Sequence, residues 1–284
     1  MGDAFNKEDT EEFLRLIREI NKSNTIASYI HIKNVFDRLS IPFPHVTVAK
    51  GQLLCRCRAH LKHEAFFTKL GQLAYRGDEF YIKDFGRTNE PGQSIFYCSD
   101  DPVTAFSETS IITRQNEPIE FEYITTGVWK VKEDFKVGYV PVTKAIKGLN
   151  KTTDGLNDDF ERLVEKFKNS GTENHLNVLD FLSQEFLRNA RGDSSNYKIS
   201  CAFANYIYKA VSFDKIVIEG LLYSSTIYNR SGINLAILPT TVDNKLQLIA
   251  ARKSKMVKTA ESTYHELHTI DAKSVMSNGE IVWS

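Results

Sequence analysis

The sequence predicts an α+β fold, on three observations. Segments with strand character occur before residue 131 and return after residue 215, the stretch from about 150 to 210 is patterned as helix, and residues 1–44 carry helical periodicity of their own. Strands on both sides of a helical block have to pair nonlocally, so 45–284 reads as one domain with a helical insert at about 150–210, preceded by a helical extension over 1–44. At 284 residues and 32.4 kDa, with 42% hydrophobic residues, the chain can bury a real core and needs no disulfide staples. A charged share of 25% argues against a disordered chain or a coiled-coil rod.

Taken in order, Asp9 with Glu12 three residues later forms a capping box, and Phe13, Leu16, Ile17 and Ile20 then recur on one helical face. A second helix is expected over 26–39, mixing its faces less cleanly, and it is stopped by Ser40-Ile41-Pro42-Phe43-Pro44 because each proline restricts the residue before it. Loose alternation predicts strands over 52–58 and 94–98. Asp100-Asp101-Pro102 is a helix start, with Val103, Ala105 and Phe106 available for packing. Residues 119–131, rich in aromatic and branched side chains, read as strand. Leu156, Phe160, Leu163, Val164 and Phe167 recur at helical spacing, as do Leu176, Leu179, Leu182, Phe186 and Leu187, and 196–210 suggests a further helix. Strand signals return at 215–218, 233–238 and 246–250, and Asn278-Gly279 predicts a hairpin turn before Ile281-Val282-Trp283.

Composition removes several function classes. Lys plus Arg and Asp plus Glu each count 36, so there is no global charge to drive nucleic-acid binding, and direct nucleic-acid binding is not expected. Four cysteines, at 55, 57, 98 and 201, lack the spacing of a zinc site and suit a reducing compartment. No apolar run reaches the length of a membrane span, the opening residues have no signal-peptide pattern, and Asn6 stands where a myristoylation motif wants Ser or Thr. The expectation is a soluble, cytoplasmic protein. The phosphate loop, the Gly-x-Ser-x-Gly elbow and the His-Glu-x-x-His helix are absent, and His60 with His63 reads as an exposed pair rather than as metal ligands, so no metal is expected.

Two stretches call for chemistry. Gly86-Arg87-Thr88-Asn89-Glu90-Pro91-Gly92 bends a loop that offers Arg87 and Asn89 as donors, followed by Ile95-Phe96-Tyr97-Cys98-Ser99 and then Glu108. Glu219-Gly220-Leu221-Leu222-Tyr223-Ser224-Ser225 is read as a turn that presents small polar groups after a strand. Taken alone, such loops serve structure more often than catalysis, and the serines can simply satisfy local backbone groups.

Together with Arg56 in Leu54-Cys55-Arg56 and with Gly232-Ile233-Asn234, these stretches resemble, in order and over about residues 52–250, the motifs of the RES domain family, named for its Arg, Glu and Ser. The resemblance implies a fold like that of the ADP-ribosyltransferases, a split antiparallel sheet around an NAD cleft. It also implies an enzyme that degrades NAD at the nicotinamide–ribose bond by hydrolysis or phosphorolysis, as do toxins of bacterial toxin–antitoxin pairs. NAD is then a substrate, and no cofactor is expected. Carried over, Arg56 and Arg87 are basic groups of the dinucleotide site, Tyr97 packs on the nicotinamide side, Glu108 is the family's Glu and Ser225 its Ser, with Glu108, Arg87 and Ser225 the catalytic candidates. Asn89, Tyr223 and Ser224 complete the NAD-binding set. Ser225 is preferred because relatives read Tyr-Pro-Ser, which aligns Ser224 with the Pro, and both serines stay candidates. Thr88 departs from the aromatic residue common between the Arg and the Asn.

The chemistry is consistent with these residue types. Arginine engages pyrophosphate through charge-assisted hydrogen bonds, and loss of nicotinamide builds cationic charge on the ribose that a carboxylate such as Glu108 can stabilise. Ser225 has no His and Asp pattern to make it a nucleophile. Water, inorganic phosphate and a protein side chain stay open as acceptors, so a mono-ADP-ribosyltransferase is the alternative enzyme, and an inactive RES-like binding module is the alternative outside enzymes. The partner implied by the resemblance is an antitoxin protein, a homo-oligomer stays open, and the faces around Phe13 and Ile17 predict that residues 1–44 pack on the body.

Overall fold

A computed structural model of the chain describes residues 7–23, 25–38, 41, 43–61, 64, 67–114, 121–141, 151–166, 172–188, 193–209, 216–225, 232–260 and 263–284. Along them run α1 (Lys7–Asn21), α2 (Ile26–Arg38), β1 (His45–Val48), β2 (Leu53–Ala59), α3 (Leu70–Leu73), β3 (Phe96–Ser99), α4 (Pro102–Thr109), α5 (Ile111–Arg114), β4 (Phe121–Val131) and β5 (Phe135–Tyr139). There follow α6 (Lys151–Lys166), α7 (Thr172–Leu187), α8 (Lys198–Lys209), β6 (Gly220–Ser224), β7 (Ile233–Ile237), α9 (Pro239–Lys245), β8 (Leu246–Ala260), β9 (Thr263–Val275) and β10 (Ile281–Trp283). The architecture is α+β, with mixed, largely antiparallel strand pairing. The chain forms two compact units, one of residues 1–46, 79–93 and 136–231, the other of 47–78, 94–135 and 232–284.

The second unit is an antiparallel sheet in the order β7-β3-β2-β4-β8-β9-β10. Successive side chains of a strand point to opposite faces. Cys55 and Cys57 of β2 therefore share one face, where they pack with Ile124 of β4 and with Ala105 and Phe106 of α4. Leu54 lies on the other face, where the Phe96 and Trp129 rings meet edge to face at 5.0 Å. Fully burying each such side chain contributes about 1.5–3 kcal/mol, so apolar packing on both faces stabilises this part of the sheet.

The first unit is mainly helical. Phe36 of α2 packs on Phe203 of α8 at 5.8 Å and on Phe13 of α1 at 6.3 Å, and Phe203 meets Phe186 of α7 at 6.4 Å. These rings and Ile17, all buried, join α1 and α2 to α7 and α8. The tie is also polar: the buried Lys198 Nζ donates to the carbonyls of Ser23 (2.5 Å) and Asn21 (3.5 Å) and to Ser28 Oγ (3.0 Å). A cation there complements the C-terminal end of the α1 dipole. In the same unit β5 and β6 pair in parallel, Gly138 opposite Leu221 and Tyr139 opposite Leu222.

Most expected elements are present, and the departures have physical causes. The helix expected from an Asp9 cap already begins at Lys7, which puts Asp9 inside the first turn, where an acid still favours the helix dipole. Residues 216–218 form no strand beyond a bridge at Val217, while the segment read as a turn, Gly220–Ser224, is β6. Every residue of β6 is buried, and a strand buried on both faces carries no alternation. The strand expected over 246–250 runs on to Ala260 and turns into β9, whose mostly exposed residues gave no hydrophobic signal. β5 lies where the sequence pattern predicts no strand. His60 is half-buried rather than exposed, stacked on Phe67 at 4.1 Å with Nε2 2.7 Å from Thr125 Oγ1. The Asn278-Gly279 turn stands as expected, with Gly279 at φ 81. Readings that fell on Leu39, Ser40, Pro42, His63, Ile119, Phe167, Ala210 and Lys215 lie outside the described residues.

Candidate active site

In the sheet unit the candidate carboxylate is built from helix α4. Asp101 caps that helix, accepting from Val103 N (2.8 Å) and Thr104 N (2.9 Å), and Pro102 occupies the first turn where its missing N–H costs nothing. Ala105 and Phe106 seat α4 on the Cys55 and Cys57 face, which places Glu108 over the same face of the sheet. There Asn234 of β7 lies directly across from Ser99 of β3. Asn234 Nδ2 donates to Glu108 Oε1 at 2.9 Å, and Ser99 Oγ donates to Asn234 Oδ1 at 2.8 Å. Ser99 and Asn234 are buried, Glu108 only partly. The start of β7 is pinned by Asp100, whose backbone N–H donates to Ile233 O (3.4 Å) and whose carboxylate accepts from Ile233 N (3.3 Å); burial pushes that carboxyl above the usual range.

Arg56 follows Cys55 on β2 and so projects to the opposite face from Glu108. Its Nε donates to Leu73 O at 3.1 Å and one terminal nitrogen to Tyr97 O at 2.7 Å, with the guanidinium 5.3 Å from the Phe96 ring centre. Burial pulls its pKa down. Tyr97 is two residues from Ser99 and shares its face.

In the helical unit the Gly86–Gly92 loop is tightly built. Gly86 N donates to Asn89 O (2.9 Å), Gly92 N to Ile82 O (2.8 Å), and Gly92 takes the positive φ of 79 that only glycine adopts without strain. Lys33 of α2 pairs with Glu90 at 3.0 Å, and Gln93 bonds Asn205 of α8 at 2.9 Å. Thr88, Asn89 and Arg87 are buried, and Asn89 Nδ2 donates to Glu90 O at 3.1 Å. Arg87 donates to the carbonyls of Phe186 and, at 3.2 Å, Arg188, while its guanidinium lies 4.8 Å from the centre of the Tyr197 ring. It thus closes the C-terminal end of α7, where orphan carbonyls need donors. The Phe186 ring packs at 5.4 Å on Tyr223, so Phe186 links Arg87 to β6. Ser224 and Ser225 are both buried, and Ser224 Oγ has no hydrogen-bond partner among the described residues.

Each unit therefore carries part of the expected set: Arg56, Tyr97 and Glu108 in the sheet unit, Arg87, Asn89, Tyr223, Ser224 and Ser225 in the helical unit. A family model for the RES domain matches residues 53–256. The chain belongs to the RES domain family. No curated protein matches the chain significantly. All the expected site residues fall inside the RES domain, whereas α1 and α2 precede it. What sequence reasoning missed in the RES domain is the support of its Glu: Asn234 stands there only as part of the Gly232-Ile233-Asn234 motif, and Ser99 just past the strand expected over 94–98, neither with a role. The available signal was register, because pairing 96–99 against 233–237 sets the two side by side.

Proposed function

We propose that this RES domain consumes NAD, cleaving the nicotinamide–ribose bond by hydrolysis or phosphorolysis, and that the protein is a toxin restrained by an antitoxin. The observation that carries the reading is Glu108, held by Asn234 through a charge-assisted hydrogen bond within a chain of the RES family. A carboxylate fixed before the substrate arrives does not reorganise as charge develops, which is the condition under which electrostatic stabilisation works best. As the bond to nicotinamide breaks, its electron pair leaves with the nicotinamide, which departs neutral, and the ribose carbon becomes oxocarbenium-like. Glu108 stabilises that cation, and water or phosphate adds to it through oxygen and releases its proton to solvent, giving ADP-ribose or its 1-phosphate.

Tyr97, Tyr223, Asn89 and one of Ser224 and Ser225 are the proposed contacts to the dinucleotide. Arg56 and Arg87 contribute positive potential for the pyrophosphate, while their bonded nitrogens hold backbone carbonyls in place. The fold proposed around these residues is of the ADP-ribosyltransferase kind, and the proposed location is the cytoplasm.

The test is chromatography of NAD incubated with the full chain, with and without phosphate, beside Glu108→Ala. The expected outcome is ADP-ribose or its 1-phosphate from the wild type, reduced about 10²–10⁴-fold in the variant. NAD left intact by the wild type overturns the reading, and labelled ADP-ribose appearing on a protein would make the chain a transferase instead.

A further inference from the structure

We infer that Ser99 is a positioning residue for Glu108, acting through Asn234. The inference rests on the NAD-consuming reading for its functional half, and on hydrogen-bond geometry for the rest.

The three side chains come from three elements of one unit. Ser99 ends β3, Asn234 follows the start of β7, and Glu108 lies in the last turn of α4. Their polarity is dictated by chemistry. An ionised carboxylate only accepts, so the Asn234 group that faces Glu108 has to be the amide NH₂. The other end of the amide is then the carbonyl oxygen, and the only role open to Ser99 Oγ is donor. The distances, 2.8 Å for Ser99 to Asn234 and 2.9 Å for Asn234 to Glu108, are those of well-formed bonds. Hydrogen bonds in series polarise one another, so the serine strengthens the bond it does not itself make.

Ser99 is 2% exposed and Asn234 4%, so water cannot readily replace the hydroxyl if it is lost. Without Ser99 the amide oxygen is buried with one donor fewer, and the amide gains freedom to rotate its oxygen toward the carboxylate, where two acceptors repel. Glu108 then keeps its place on α4 but loses its fixed donor. Backbone pairing of Ser99 with Asn234 does not depend on the side chain, so the strands persist in the variant. A group that orders a carboxylate used only in the transition state affects turnover and leaves ground-state binding alone.

The experiment compares Ser99→Ala and Ser99→Thr with the wild type in two assays. In the first, hydrogen exchange of the Asn234 side-chain amide is followed by NMR on the full chain. Ser99→Ala is expected to speed that exchange at least tenfold and Ser99→Thr to restore protection, whether or not the protein turns over NAD. In the second, Ser99→Ala is expected to lower kcat about tenfold with KM unchanged, and Thr to recover most of the loss. Equal amide exchange in wild type and Ser99→Ala overturns the relay. Faster exchange with unchanged kcat overturns the positioning role, as does a change confined to KM. A wild type that leaves NAD intact overturns the functional reading alone, since the exchange assay still decides the relay.

Discussion

Gly232 has no room for a side chain. A Cβ added there would lie 2.2 Å from Thr104 Oγ1, on the first turn of the helix that carries Glu108. Thr104 is itself fixed by its bonds to Asp101, so it cannot simply turn aside. Gly232→Ala is therefore expected to cost about 1–3 kcal/mol. Gly155 of α6 is the opposite case, with nothing among the described residues within 4 Å of an added Cβ, and Gly155→Ala is expected to stabilise by about 0.5–1 kcal/mol. Denaturant unfolding of both variants checks the pair, and a neutral Gly232→Ala would show that the approach to Thr104 is not tight. The motif Gly232-Ile233-Asn234 was legible in the sequence, but the reasons for its glycine and its asparagine were not. Both lie in residues more than 120 positions upstream, Thr104 and Glu108, and no local pattern encodes such a meeting. Arg87 shows the converse: the sequence marks it as a donor, while its use at the end of α7 depends on where Phe186 and Arg188 place their carbonyls.

Among the elements, α7 carries a group that senses acid. Glu185 keeps only 12% of its side chain exposed, and burial outweighs the pull of Arg188 at 3.5 Å to raise its carboxyl above the ordinary range. A carboxyl raised in the folded state contributes its stability below the unfolded value of about 4.3 and loses it as pH climbs through the folded value. The melting temperature of Glu185→Gln minus that of the wild type should accordingly be larger at pH 7 than at pH 5. A difference independent of pH would mean that the carboxyl is not desolvated. The helices were the most legible elements, because α1, α6 and α7 each repeat apolar residues over several turns and signal themselves locally. Strands differed by burial. β4 and β7 show runs of branched and aromatic residues, whereas β6 is covered on both faces and reads as a turn because Gly220 and Ser224 stand at its ends. β9 is exposed over most of its length and is stabilised by its partner β8 rather than by its own composition.

For the whole molecule, the family was readable because its motifs keep their order along 53–256, a range that draws on both units. The division into units was not readable, since each is assembled from three separate stretches of chain. The cysteines give a test of how well these stretches close. All four are free and buried, and burial pushes Cys55 up to about 11, Cys57 and Cys201 to about 12, and Cys98 further still. Thiols held protonated at neutral pH are poor nucleophiles. The folded protein is expected to leave a disulfide reagent such as Ellman's reagent largely unreacted at pH 7.5, and the same protein in denaturant to react at all four positions. Rapid labelling of the native chain would show that either unit opens readily.

The pairing of β3 with β7 also bears on timing. Ser99 and Asn234 are separated by 135 positions. At a synthesis rate of about 5–20 residues per second, β3 waits roughly 7–27 s on the ribosome for the strand that brings Asn234 beside it. Until then Glu108 exists without the amide that holds it. If the protein is the restrained toxin proposed above, that delay is the interval in which its partner has to bind before the carboxylate is set.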